Sequence, residues 1–161
     1  MDAEIVTALG IPLALRPIER DDRHRLAVAF AKLSPSARHD RFLGPKPRLT
    51  AAELTHLTEI DHRTHEALAA IDLEDGAIVG VARYVQEAPG VADVAFFVLD
   101  AWQRQGIATR LARDLVARAD ANGIERLTAA TFSGNRAART VLRRAGFATT
   151  LIAAGVVELE R

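Results

Sequence analysis

The chain has 161 residues, 49% hydrophobic and 26% charged, which describes one domain of ordinary size and excludes disordered and fibrous classes. Twenty-one basic residues balance twenty-one acidic ones, so no overall charge draws it to nucleic acid, and no cysteine is present to form a disulfide, a thiolate metal site or an acyl-cysteine. No apolar run reaches membrane-spanning length and the opening MDAEIVTALGIPLALRP lacks the basic region and cleavage site of a signal peptide, so a cytoplasmic protein without membrane contact is expected.

Residues 1–11 read as an N-terminal extension of a single domain spanning 1–161, and Leu13 to Arg16 as a short first strand. Asp21-Asp22 starts a helix running to about Leu33, and the polar stretch SPSARHDRFLGPKPR, with three of the six prolines, reads as a surface loop. Thr50 caps a second short helix, with Glu53 in capping-box position. Glu66 to Leu73 and Ala77 to Gln86 form strands joined at Glu74-Asp75-Gly76, and a further hairpin turns at Ala88-Pro89-Gly90. Val94, Phe96 and Val98 alternate with Ala95, Phe97 and Leu99, as in a strand buried on both faces.

That strand breaks at Asp100-Ala101 and runs through QRQGIA (103–108) into a helix whose apolar positions include Ile107, Ala108, Leu111, Ala112, Leu115, Val116 and Ala119, ending at Asn122-Gly123. Gly106 has no side chain and Ala108 a minimal one, so a ligand can approach the unpaired N–H groups of the first turn, which attract anions. A tight turn packed on small residues is the structural alternative. Arg126 to Phe132 is a strand, Asn135 caps a helix from Arg136 to Ala145, and Phe147 to Leu151 and Val156 to Leu159 close the sheet. Lys32 and Lys46 are the only lysines, so the other positive charges are arginines, the better fork for phosphate oxygens.

QRQGIA between strand and helix, followed by SGNRAARTVLRRAGF (133–147) with Asn135, Ala138, Gly146 and Phe147 at matching offsets, resembles the GNAT superfamily of N-acetyltransferases. The run LSPSARHDRF and the later LTEIDHRTHEALAAID are similar to the acetyltransferase domain of bacterial protein-lysine acetyltransferases. The resemblance implies an α/β fold: a mixed, mostly antiparallel sheet flanked by helices, split between central strands to hold acetyl-CoA. It implies acetyl transfer to a primary amine, a protein lysine or a small molecule, without metal, and allows a homodimer.

On the same resemblance the pantetheine arm pairs with the backbone of Phe96, Phe97 and Val98. The pyrophosphate sits on Arg104, Gln105, Gly106, Ile107, Ala108 and Thr109, with the Arg104 side chain adding a charge-assisted contact. Asn135 hydrogen-bonds the pantetheine amides besides capping its helix, and Arg139 with Arg143 meets the adenosine 3′-phosphate unless both only face solvent. Asp93, ten residues before Gln103, falls where the protein-lysine enzymes place a glutamate base; the alternative is a carboxylate that only ends the Pro89-Gly90 turn. The glutamate and tyrosine that other GNAT enzymes use as further base and general acid are replaced by Ala130 and Leu142, and the only tyrosine is Tyr84.

Asp61, His62 and His65 superficially resemble a metal cluster but have too few ligands to be one; Asp61 and His62 are instead placed along the acceptor groove. The empty acid position and the shortened Asp93 keep a second reading open, an acyl-CoA-binding module without turnover. Thiol release on an amine panel separates the two. A nucleotide-binding domain is disfavoured, since neither GxxxxGK[ST] nor GxGxxG occurs.

Overall fold

The computed structural model describes residues 2–44, 46 and 48–161. Eight strands form one sheet: β1 (Ala3–Val6), β2 (Pro12–Pro17), β3 (His65–Asp72), β4 (Ile78–Ala88), β5 (Val91–Val98), β6 (Arg126–Phe132), β7 (Ala148–Ala153) and β8 (Val156–Glu160). Their order is β1-β2-β3-β4-β5-β6-β8-β7. Every neighbouring pair is antiparallel except β5 and β6, which the crossover helix α4 (Ile107–Ala121) makes parallel. The segment expected as an N-terminal extension does extend the sheet, because Ala3 to Val6 pair with Pro12 to Leu15 and make β1 an edge strand.

The remaining helices are α1 (Arg23–Lys32), α2 (Pro35–Phe42), α3 (Ala51–Thr58) and α5 (Arg136–Arg144). The expected loop after Leu33 is corrected by α2. Ser34 accepts a hydrogen bond from the Ala37 N–H at 3.1 Å and Pro35 occupies the first turn, an N-cap and N1 proline that the loop reading overlooks. Pro45 and Pro47 of that loop lie outside the described residues. The capping box of α3 forms as expected, Thr50 Oγ1 accepting from the Glu53 N–H at 3.1 Å and Glu53 Oε1 from the Thr50 N–H at 3.2 Å.

Helices cover both faces of the sheet. On one, Leu111, Leu115 and Val116 of α4 and Leu142 of α5 pack against Leu15, Val79, Val94 and Leu127. On the other, Leu26 and Ala29 of α1 meet Ala67, Ala69 and Val81, with Phe97 and residues of α3 at the margin. Each fully buried leucine or isoleucine here contributes about 1.5–3 kcal/mol. The double-sided burial expected of β5 is corrected. Ala92, Val94 and Val98 are buried toward α4, but Asp93, Ala95, Phe96 and Phe97 are only half-buried, because β5 borders an open cleft.

Gly80 of β4 keeps β4, β5 and α4 close. A Cβ there would lie 3.1 Å from Val98 Cγ2, 3.2 Å from the Phe97 carbonyl oxygen and 3.3 Å from Leu111 Cδ1. Gly80→Val is expected to cost about 1–3 kcal/mol by overpacking, read as a lowered urea midpoint at unchanged slope.

Candidate active site

Strands β5 and β6 pair only over Val91 to Asp93 and Arg126 to Thr128, then part. Beyond that point one edge of β5 has no strand partner among the described residues. The Leu99 N–H donates to the Val79 carbonyl of β4, whereas the Val98 carbonyl accepts from Gln103 Nε2 at 3.1 Å, so odd positions bond β4 and even positions face the split. Of the three residues expected to pair with a pantetheine arm, Phe96 and Val98 therefore present backbone to the split. Phe97 turns its own toward β4 and Gly80.

A cleft of ≈ 640 Å³ passes through this split. Its α4 side is built by the turn. Arg104 and Gly106 both have left-handed backbone, φ 62° and 83°, and Gly106 precedes Ile107, the first residue of α4. Alternating conformations of this kind turn successive N–H groups into one concavity, and a helix N-terminus adds its dipole. Arg104, Gly106, Ile107, Ala108 and Thr109 line the cleft; Gln105 does not, its Nε2 being turned to the Ala101 carbonyl at 3.5 Å. A Cβ at Gly106 would meet nothing within 4 Å, so the space beside the turn is open.

Asn135 caps α5, its Oδ1 accepting from the Ala138 N–H at 3.1 Å, and it also lines the cleft. Arg139 does not. It donates to the Ser133 carbonyl at 3.1 Å, while Arg136 and Arg144 of the same helix border the cleft. Helical periodicity alone offers no reason to choose between these arginines.

Asp93 belongs to the last pair before the strands part, opposite Thr128, whose Oγ1 donates to Asp93 Oδ1 at 2.9 Å. Since Ala92, Val94 and Phe96 point toward α4, the Asp93 side chain points toward α1, α2 and α3, the face opposite the turn. Burial pushes its carboxyl above the ordinary carboxylate range, partly offset by the Thr128 hydrogen bond. On this face α2 closes over the split, where the His39 ring stacks on Phe132 of β6 with centroids 4.9 Å apart and planes 10° apart. Arg41 of α2 lines the cleft, and buried Arg83 of β4 donates to the Leu57 carbonyl at 3.2 Å and bonds His65 Nε2 at 2.9 Å. Burial lowers these guanidiniums to about 10 and about 9, so both remain charged at neutral pH.

These features correspond to a known family: the sequence profile of the acetyltransferase (GNAT) family matches residues 30–147. The chain belongs to the GNAT family. It is 33% identical over 141 residues to acetyltransferase PA5475 of Pseudomonas aeruginosa, covering 86% of this chain and 76% of that protein. It is 30% identical over 148 residues to acetyltransferase Pat of Mycolicibacterium smegmatis, covering 91% of this chain but only 44% of that longer protein. The crystal structure of the GNAT domain of S. lividans PAT superposes with a TM-score of 0.91 at 31% identity, covering 99% of this chain and 96% of that one.

In this GNAT domain the polar residues that superficially resemble a metal cluster have other partners. Asp61 accepts from the N–H groups of Arg63, Thr64 and His65 and from the Thr64 hydroxyl, and His62 Nδ1 lies 2.8 Å from Glu66 Oε1. Asp61 and His62 are not among the residues that line this cleft. No helix among the described residues is long and apolar enough to cross a membrane.

Leu142 and Ala130 both line the cleft. Tyr84 is fully buried, its hydroxyl donating to the Arg63 carbonyl at 2.9 Å and accepting from Asn122 Nδ2 at 2.7 Å. Tyr84→Phe is therefore expected to cost about 1–2 kcal/mol of stability while leaving turnover intact. Thermal unfolding beside steady-state thiol release checks both halves.

Proposed function

We propose that the chain transfers the acetyl group of acetyl-CoA to a primary amine, on a protein lysine or a small molecule, by direct attack on the thioester. The observation that carries this reading is the split between β5 and β6. The cleft through it is lined by Arg104 and Gly106 to Thr109, and the half-buried carboxylate of Asp93, which does not itself line the cleft, belongs to the last β5–β6 pair before the strands part. Phosphate oxygens would rest on the N–H groups at the start of α4, with Arg104, Arg136 and Arg144 in reach of the cleft. The acyl arm would follow the unpaired edge at Phe96, with Asn135 on the opposite wall. Single-domain organisation over 1–161 and a cytoplasmic location belong to the same proposal.

The amine approaches from the α2 side. Its nitrogen bonds the carbonyl carbon, the C–S bond breaks, and the amine's proton passes to Asp93 directly or through one water. A thiol of ordinary pKa ~8.5 leaves adequately as thiolate, so a site with Leu142 and Ala130 in place of acid and second base remains workable. Thr128 positions the base, since its hydroxyl fixes Oδ1 and leaves Oδ2 to take the proton. Thr128→Val should raise the acid limb of the kcat/KM profile by about 1 pH unit, the size of one hydrogen bond to an ionised carboxyl, and Thr128→Ser should restore it. Thiol release from acetyl-CoA on a panel of amines tests the whole reading. Binding of acetyl-CoA with no release on any amine would replace it with the binding-module alternative.

A further inference from the structure

On the α2 side of the cleft Asp40 and Arg41 both line the wall, and Asp93 lies within electrostatic reach of Arg41. Arg41 lines the cleft, and its contacts are the face of the neighbouring Phe42 ring, with the guanidinium carbon 4.6 Å from the ring centroid, and longer-range electrostatics with Asp93 and Arg83. Among the described residues no ion pair within 4.0 Å joins it to a carboxylate. Asp40 also lines the cleft but, one residue away on α2, points about 100° round the helix. Among the described residues, the Arg83 guanidinium is answered by a carbonyl and an imidazole. That imidazole is neutral, because burial and the Arg83 charge pull His65 down to about 4. Arg41, half-buried on the cleft wall, therefore keeps hydrogen-bonding capacity that no carboxylate of the described residues takes up within 4.0 Å, and a charge partly withdrawn from water gains by acquiring a hydrogen-bonded partner.

The geometry points to Arg41 as the receptor for a carboxylate carried by a substrate, one that enters on the α2 face of the split within reach of the transferring group. The inference rests on the acetyltransferase reading above and deepens it. A guanidinium fork matches a carboxylate in two parallel hydrogen bonds, which a lysine or an amide does not reproduce. The donor's phosphates would rest at the start of α4, whose Ile107 and Ala108 pack on the sheet face opposite α2. The carboxylate has two chemical sources: an acceptor that is an amino acid bearing amine and carboxylate together, or an acyl-CoA whose acyl chain ends in a carboxylate.

Matched pairs distinguish the sources. L-lysine is compared with L-lysinamide using acetyl-CoA, and succinyl-CoA with butyryl-CoA using cadaverine, each with wild type, Arg41→Gln and Arg41→Lys. The expected result is a preference for the charged member of one pair of about 10- to 100-fold in kcat/KM, reduced at least severalfold in both variants. A preference confined to the first pair assigns the carboxylate to the acceptor, and one confined to the second assigns it to the acyl chain. Calorimetric affinity for the same four ligands, the amines titrated in the presence of CoA, reads the same dependence without turnover. A silent enzyme that still shows Arg41-dependent discrimination would thus sink the catalytic reading and keep this one. Unchanged CoA affinity and melting temperature in the variants establish that they fold. No preference in either pair, or one that persists in Arg41→Gln, overturns the assignment.

Discussion

Asp93→Asn is expected to lower turnover by about 10² to 10⁴ while CoA affinity stays nearly constant, because the change removes proton acceptance but little volume. The pH dependence gives the prediction its sign. Burial raises the Asp93 carboxyl above the ordinary range, so in the wild type activity should be lost as pH falls through a value higher than the ~3.9 of a free aspartate. That acid limb should vanish in the variant. At the alkaline end a lysine-type amine, which ordinarily titrates near ~10.4, loses its own proton to solvent and needs less help, so the rates of wild type and variant should converge. Stopped-flow or steady-state thiol release from pH 5 to about 10 reads all of this. A folded Asp93→Asn protein with wild-type turnover at neutral pH would reduce the carboxylate to a partner of Thr128, leaving placement of a neutral amine as the main catalytic device.

Gly106→Val should weaken CoA binding by about 10- to 100-fold, each tenfold step being about 1.4 kcal/mol. Two effects act together. At φ 83° a β-branched side chain is strained by about 1–2 kcal/mol, which shifts the turn that aims the N–H groups. The side chain would also project into space that is now open, since nothing lies within 4 Å of the Cβ position, and that space borders the cleft. Isothermal titration with CoA checks the affinity and circular dichroism the fold. A folded variant with unchanged affinity would remove the turn from the binding site. Gly106→Ala separates the contributions, since it keeps most of the backbone strain and adds only one methyl group.

Local signals carry much of the architecture. The alternation of β5, the stripe of α4 and the caps at Thr50 and Asn135 depend on residues a few positions apart, and the structure forms those elements within a residue or two of the expected bounds. α2 escapes a reading by composition although its Ser-Pro start is legible, because the surrounding prolines and polar residues favour a loop. The turn before α4 is equally local: left-handed backbone at Gly106, small residues and a following helix are contiguous in the chain. Gln105 and Arg139 fall outside the cleft because the direction of a side chain on a turn or helix is decided by what packs beneath it.

Residue type and short-range spacing thus settle most of the element order, though not β1 or α2, together with the strand-turn-helix that opens α4, the Asn135 cap and the leucine at position 142. Which residues meet across long separations is a property of the assembled fold. Thr128 reaches Asp93 from 35 residues away, and Arg41 faces the same side of the split from α2. Arg83 loses its solvent beneath α3. Those meetings depend on strand register and on where β5 and β6 part, and register is fixed by burial of whole sheet faces rather than by neighbours along the chain.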